Sequence, residues 1–516
     1  MKKSTLSFIL TLILIASFIF FACAEDNNVT GNESKETETS KSVSAEESSE
    51  EVSKLFIEGL DPAGLDLDGY TMKFLVLASN IQYDDEQIIG YTEDTGEEKA
   101  DDVIAAIIER NNILTQEYGF VITSESVSST TDFPVRVRGD NEAGTADYQA
   151  IVGGAYYLAP LSAEGLFYDF YDLEDSYLSL DEVWWDPVSQ KDMTIVNSLY
   201  LATGDLLYTD DNQTRCLFFN KDLIKEYNLA NPFELVNEGK WTLDEMYAMM
   251  KAVAHPGGDG SMNVAGDDTW GMVGVSFDTY MLIMGGGVAQ IVKDDDDIPR
   301  FAMMDEQNVN NFFKVFDIVS DREATCFTGD YYRWNDPKCS EIYAHFYNGQ
   351  ALFYPEIVGK VNSEKMRNAE INYGILPMPK MSVEQDNYAS TVNPYGFGTA
   401  AIPITVETAE IPRLTFCLEA MARYDKEHVT AVYYDLTLKL KRLIDDEDSP
   451  EMLDLIFRNR IVDMSVMFNW ADCIQYYNQL RSNKNRGVVS FCQGKENAFN
   501  AAMEATIEKY NELKNN

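Results

Sequence analysis

Residues that do acid–base or nucleophilic chemistry at neutral pH are sparse in this chain. Its three histidines, His255, His345 and His428, lie far apart, so an imidazole proton relay has few candidates. Neither G-x-S-x-G nor H-E-x-x-H occurs; these arrangements expose a serine nucleophile or hold a catalytic zinc. Gly285-Gly286-Gly287 end an apolar segment where a backbone can approach a ligand. Val288-Ala289-Gln290 follows in place of Lys-Ser/Thr, which excludes a phosphate-cradling loop. Carboxylates are abundant, so a two-carboxylate glycoside hydrolase stays open on counts alone. The run Asp294–Asp297 lacks the spaced oxygens of a calcium loop and reads as a solvated loop. Beyond Cys23, the cysteines Cys216, Cys326, Cys339, Cys417, Cys473 and Cys492 show no C-x-x-C spacing, which argues against zinc. They read as small buried hydrophobes, with Cys326 and Cys339 the pair to inspect for a disulfide. No metal and no cofactor is expected.

Aromatic surface is plentiful, with 29 Tyr, 27 Phe and 6 Trp. A tyrosine offers a flat apolar face with a polar tip, which suits sugar or peptide binding and equally suits a large core. The knot Val183-Trp184-Trp185-Asp186-Pro187 reads either as a stacking platform or as a loop packed on a surface.

At 516 residues the chain exceeds one ordinary core, so two lobes are expected. The formal net charge of −46 would repel phosphates, so nucleic acid is excluded as a partner. Lys2-Lys3, the apolar run Leu6–Phe21 and then Ala22-Cys23 form an export signal over 1–23. Cys23 resembles the diacylated cysteine of a lipobox, although Phe20 and Phe21 replace the usual Leu and Ser or Ala. A cleaved signal without lipid, or an uncleaved anchor, is the other reading. Residues 24–66 are mainly Ser, Thr, Glu and Asn in their first part and read as a disordered acidic tether. No second run of 18 apolar residues follows, so the remainder is expected to be soluble.

Folding is expected to begin near Gly69. Thr71–Ala78 reads as a buried parallel strand, and Val103, Ile104, Ile107 and Ile108 mark a helix within 100–118. Phe120–Ile122 and Tyr148–Val152 read as further strands, so the pattern predicts a parallel sheet. Ligands of such sheets bind beyond the carboxyl ends of strands, which points to Ser79, Asn80, Ala155, Tyr156 and Tyr157. In Leu217–Ala254, Thr242 and Glu245 form a capping box ahead of an apolar face of Leu243, Met246, Met250 and Val253. Ile371–Pro379 reads as a strand closed by prolines. From Glu407 onward the chain reads as mostly helical, with Pro412 in a first helical turn.

Several landmarks together resemble the extracellular solute-binding proteins, the receptors of ABC importers for sugars and oligosaccharides. Phe219-Asn220-Lys221 and Trp241-Thr242 are similar to that family's "YNK-D … TW-[DE]-E" signature, with Phe219 in place of Tyr. Phe346, Gly349, Ala351 and Leu352 resemble its "F-x-x-G-x-A-A-M" segment, and Gly374–Pro379 its "G-x-x-P-x-P" strand. Met464-Ser465 leading to Trp470 is similar to the terminal helical region of maltose-binding protein.

The resemblance implies an α/β fold of the two-lobed periplasmic-binding-protein kind, type II-like, with a crossed-over chain and a hinge between the lobes. It implies a first lobe from 67–210 and 387–428, and a second lobe from 211–386 and 429–516. Hinge segments are expected near 208–215, 385–390 and 425–429. The implied function is capture of a sugar or oligosaccharide between the lobes and its delivery to membrane permease subunits, without catalysis. A surface lipoprotein that binds glycans or peptides without transport stands beside that reading, as does a secreted glycoside hydrolase. The protein would be an exported monomer on the outer face of the cytoplasmic membrane, held by lipid on Cys23. By position on the matching loops, the substrate-binding residues are Asn80, Tyr156, Asp211, Gln213, Gly286, Tyr354, Glu356, Tyr395 and Trp470. Phe468 replaces Trp470 if the register slips by two.

Overall fold

Runs of apolar residues build two separate sheets, each covered by helices. The computed structural model describes residues 57, 59–62, 64–78, 84–90, 101–333, 335–439 and 448–515, all within one compact unit, Lys54–Asn516. The strands are β1 (Thr71–Leu77), β2 (Val121–Val127), β3 (Ala150–Gly154), β4 (Arg215–Asn220), β5 (Trp270–Gly274), β6 (Ile291–Lys293) and β7 (Pro299–Phe301). They continue with β8 (Thr325–Phe327), β9 (Ala351–Ile357), β10 (Tyr373–Leu376), β11 (Ser390–Thr391), β12 (Gly398–Ala401) and β13 (Arg460–Ile461). Four helices position the site and its supports: α1 (Asp101–Tyr118), α2 (Ala155–Ser162), α3 (Ile411–His428) and α4 (Val488–Lys514).

The first sheet has the order β12-β3-β1-β2. Its three early strands are parallel, with Thr71 beside Val121 and Phe74 beside Ala150. The returning strand β12 is antiparallel, with Gly398 beside Gly154. The second sheet has the order β10-β4-β9-β5-β8, in which β5 is parallel to β8 and β9 while β4 is antiparallel to β9 and β10. Each sheet is thus a parallel core with one antiparallel strand contributed by chain that has crossed from the other. Leu75 to Leu77 and all of β3 and β4 are buried, as expected of strands covered on both faces.

The crossings are tied together. Thr214 bridges Val392, and Val358 N–H donates to the Thr214 carbonyl at 2.8 Å. The short strand β11 runs parallel to β13. Arg460 of β13 is buried and donates from Nε to Thr214 Oγ1 at 2.9 Å. Its guanidinium also pairs with Asp186 at 2.5 Å, Asp210 at 3.2 Å and Asp211. Three carboxylates share one guanidinium here, and burial together with Asp211 pushes Asp210 up to about 7. Farther out beside the first sheet, Arg110 of α1 meets Asp425 of α3 at 2.6 Å, with both side chains buried.

Packing revises one expectation and decides two readings left open by the sequence. The tether expected over 24–66 does not run to its full length, because Leu60 is in the core and Ile57 N–H donates to Tyr118 Oη at 3.2 Å. The Trp184-Trp185 knot is a loop packed onto the first sheet's helical cover, with Val183 exposed and Trp184 half-buried. Trp185 is fully buried, and both indoles donate to the buried Glu419 carboxylate, at 3.1 and 2.7 Å. Cys326 and Cys339 are unpaired, as are the other four described cysteines. Cys23 lies outside the described residues.

Candidate functional site

The carboxyl end of β3 is where the first sheet presents chemistry. Gly153 and Gly154 end the strand, and α2 starts at once with Ala155, Tyr156 and Tyr157. The turn Asn393–Phe397 rests on that helix start: Ala155 N–H donates to the Phe397 carbonyl at 3.0 Å and Tyr156 N–H to the Pro394 carbonyl at 3.1 Å. The turn carries Tyr395, whose ring centroid lies 4.5 Å from that of Tyr156 and 6.2 Å from that of Tyr157. Tyr156 and Tyr157 meet edge to face at 5.3 Å. Three half-buried tyrosines therefore form one wall.

The facing element is the segment after Met464–Met467. Asn469, Ala471 and Asp472 all have left-handed backbone, with φ of 49, 51 and 64°. Asn and Asp tolerate that region, but for Ala it costs about 1–2 kcal/mol. Such strain persists only where the surroundings over-determine it, and it clusters at functional sites. The segment aims Asn469 at the tyrosine wall, its side-chain amide donating to Tyr156 Oη at 3.3 Å. Asp472 is exposed. Burial first, then the neighbouring tyrosines and Asp472, hold the Tyr395 hydroxyl protonated. Phe468 is half-buried and stacks on Trp470 at 5.3 Å. Aromatic faces beside an amide and an exposed carboxylate are what an uncharged polyhydroxylated ligand requires.

A second polar group lies at the carboxyl ends of β5 and β9. Glu356 accepts from Tyr354 Oη at 3.1 Å and lies 3.4 Å from Arg215 and 3.6 Å from Lys360. Arg215 sits over the Phe277 ring at 5.8 Å. Asp278 beside it is buried with Oδ1 unbonded, and burial pushes its carboxyl up to about 8. Gln213 bridges this side to the tyrosine wall, accepting from Asn393 Nδ2 at 2.8 Å and donating to Asn212 Oδ1 at 2.8 Å. Among the described residues no cluster of His, Cys, Asp and Glu is arranged to hold a metal ion.

The family model for bacterial extracellular solute-binding protein matches residues 94–321. Over those residues the chain is similar to that family. No curated protein matches it by sequence. Among solved structures it is similar to UspC of M. tuberculosis, at 13% identity and TM-score 0.53, covering 84% of this chain and 100% of that one. It is also similar to the sugar-binding protein MalE of the phytopathogen Xanthomonas citri, at 14% identity and TM-score 0.53, covering 86% and 100%. The cyclic alpha-maltosyl-1,6-maltose binding protein of Arthrobacter globiformis matches at 12% identity and TM-score 0.53, covering 87% and 100%. At these identities the likeness establishes the fold: two α/β lobes with the chain crossed between them.

The nine expected contact residues separate in this structure. Tyr156 and Tyr395 come together in the wall. Gln213 is buried behind it and acts as a brace, while Asp211 is engaged by Arg460. Tyr354 and Glu356 belong to the second group, where Tyr354 is only 1% exposed and packs on Phe346 and Tyr343. Two expectations are corrected. Trp470 is 3% exposed, donates its indole N–H to Thr506 Oγ1 at 3.0 Å and has Phe499 against its edge, so its ring is interior. Gly286 is filled in by the Asn311 side chain and has a packing role. Asn80 lies outside the described residues. Asn469, Asp472, Arg215, Phe277 and Asp278 had no sequence signal beyond the readiness of Asn and Asp to adopt left-handed backbone.

Proposed function

We propose that this protein is the extracellular solute-binding receptor of an ABC importer and that it captures a sugar or oligosaccharide between its lobes. The reading rests chiefly on one observation. The tyrosine wall of Tyr156, Tyr157 and Tyr395, on the first lobe, faces the strained Asn469–Asp472 segment. Rings stack on the apolar faces of pyranose units, and the amide and carboxylate take hydroxyl hydrogen bonds. The sugar ligands in the names of the similar structures from Xanthomonas and Arthrobacter support the same class. On this reading 67–210 with 387–428 form one lobe and 211–386 with 429–516 the other. Lipid on Cys23 would hold the monomeric receptor beside its permease, and closure around the ligand is what the permease senses.

Calorimetry of the full chain against linear and cyclic α-glucans, β-glucan and xylan oligosaccharides, and a peptide mixture tests the reading. Stoichiometric binding of a saccharide without product is expected, with affinity reduced about tenfold to a hundredfold in Tyr395→Ala. Turnover of the saccharide, or binding of peptide alone, would sink it.

A further inference from the structure

Three stretches of chain build the candidate site: residues 213–214 with the Gln213 brace, the turn Asn393–Phe397 with Tyr395, and the strained segment Asn469–Asp472. Each is fastened, a few residues back, to one buried side chain, Arg460.

The first stretch is held by the guanidinium. Nε donates to Thr214 Oγ1 at 2.9 Å, Nη1 to Asp210 at 3.2 Å, and Nη2 to Asp211. Residues Thr209–Asn212 form a single helical turn, and Thr214 N–H closes onto the Asp211 carbonyl at 3.1 Å. Gln213 therefore stands between gripped residues. The second stretch is held by the backbone of β13. Ser390 and Thr391 run parallel beside Arg460 and Ile461, and Ser390 N–H donates to the Asn459 carbonyl at 3.1 Å. Val392 then bridges Thr214, and Asn393 N–H donates to the Gln213 carbonyl at 2.9 Å. The third stretch follows Arg460 in the chain. Val462 N–H donates to Asp192 at 2.9 Å, and buried Asp463 accepts from Gln290 N–H and Ser465 N–H, both at 2.9 Å. One helical turn, Met464–Met467, separates this anchored run from Phe468 and Asn469.

Arginine suits this place because its planar fork presents five donors in fixed directions. A guanidinium that serves Thr214 and three carboxylates together has its orientation set, and it sets theirs. A lysine ammonium, a rotating point charge, would fix none of these angles. Stacking on a sugar ring needs aromatic faces that are already in place when the ligand arrives.

We propose that Arg460 is the positioning residue of the ligand site: through Thr214 and β11 it sets the tyrosine wall, and through β13 it sets the Asn469–Asp472 segment that faces the wall. What the wall binds rests on the receptor reading, but how the wall is held does not.

Fluorination of Tyr395 alone in the full chain gives one fluorine resonance that reports the wall without ligand. Fluorination of Tyr247 alone, whose hydroxyl donates to Asp321 outside this network, gives the reference. Arg460→Met strands buried carboxylates and threatens folding, so Thr214→Val is the deciding variant. It keeps the shape and removes the acceptor of Arg460 Nε together with the donor to the Asp210 carbonyl. The Tyr395 resonance is expected to shift and broaden in Thr214→Val while that of Tyr247 stays unchanged. Affinity for a saccharide that binds the wild type is expected to fall at least about tenfold in the same variant. An unchanged Tyr395 resonance in folded Thr214→Val overturns the proposal. So does an equal disturbance at Tyr247, which marks a general loosening, and so does undiminished saccharide affinity. A saccharide panel without any binder for the wild type removes the receptor reading and leaves the comparison of the two resonances to decide the role of Arg460.

Discussion

Gly396 backs directly onto Gln213: a Cβ at position 396 would stand 2.5 Å from Gln213 Oε1. That oxygen is the acceptor for Asn393, the residue that opens the turn carrying Tyr395. Turn, brace and tyrosine wall are therefore one mechanical unit at the place where the chain crosses between lobes.

Gly396→Ala is expected to displace Gln213 and loosen the turn, costing about 1–3 kcal/mol as an overpacked site. Urea unfolding would measure it. A loss below about 0.5 kcal/mol would show that the brace yields freely, and Tyr395 would then not be positioned by it.

Ala471 allows stability and binding to be separated. Replacement by glycine relieves the left-handed strain at φ 51°, with an expected gain of up to about 1 kcal/mol. The same change frees Asp472 next to it, so saccharide affinity is expected to fall while stability rises. Chemical denaturation and calorimetry on one sample would check both signs. A variant that gains stability with undiminished affinity would take the segment out of the site.

How much of the fold and the site is legible in the sequence depends on whether the information is local. The helix cap at Thr242, whose Oγ1 accepts from Glu245 N–H at 3.4 Å, and the buried face of Leu243, Met246, Met250 and Val253 follow from spacing alone. The place of Tyr156 at the carboxyl end of β3, where parallel sheets bind ligands, follows from the strand pattern. Trp470 is favoured by residue type, yet an indole serves a core equally well. Here Thr506 and Phe499, from a helix later in the chain, decide the matter. The left-handed run at Asn469–Asp472 leaves no trace in hydrophobic periodicity, so its role emerges only from the backbone.

The Arg110–Asp425 pair is the main buried ionic contact between α1 and α3. Asp425→Ala leaves an uncompensated guanidinium and is expected to destabilise the protein by about 3–5 kcal/mol. The double variant Arg110→Met with Asp425→Leu is expected to recover most of that loss, because the pair's desolvation penalty disappears with it. Thermal unfolding of single and double variants forms the cycle. Additive losses would mean that the two groups do not act on each other.

The Arg460 cluster gives a pH dependence with a definite sign. Asp210 is pushed up to about 7 and Asp211 to about 6, in both cases mainly by burial, whereas an unfolded aspartate titrates near about 4. The folded state therefore binds more protons than the unfolded state between these values. The stability this contributes is fully present below about pH 4 and is lost as pH rises through 7. Stability is expected to fall from pH 5 to pH 8, and Asp210→Asn, which keeps the shape and cannot ionise, is expected to flatten the slope by up to about 1.4 kcal/mol per pH unit between pH 5 and 7. Urea unfolding at several pH values measures the slope directly. An unchanged slope in the variant would mean that Asp210 stays ionised beside Arg460 and that Asp211 holds the proton instead.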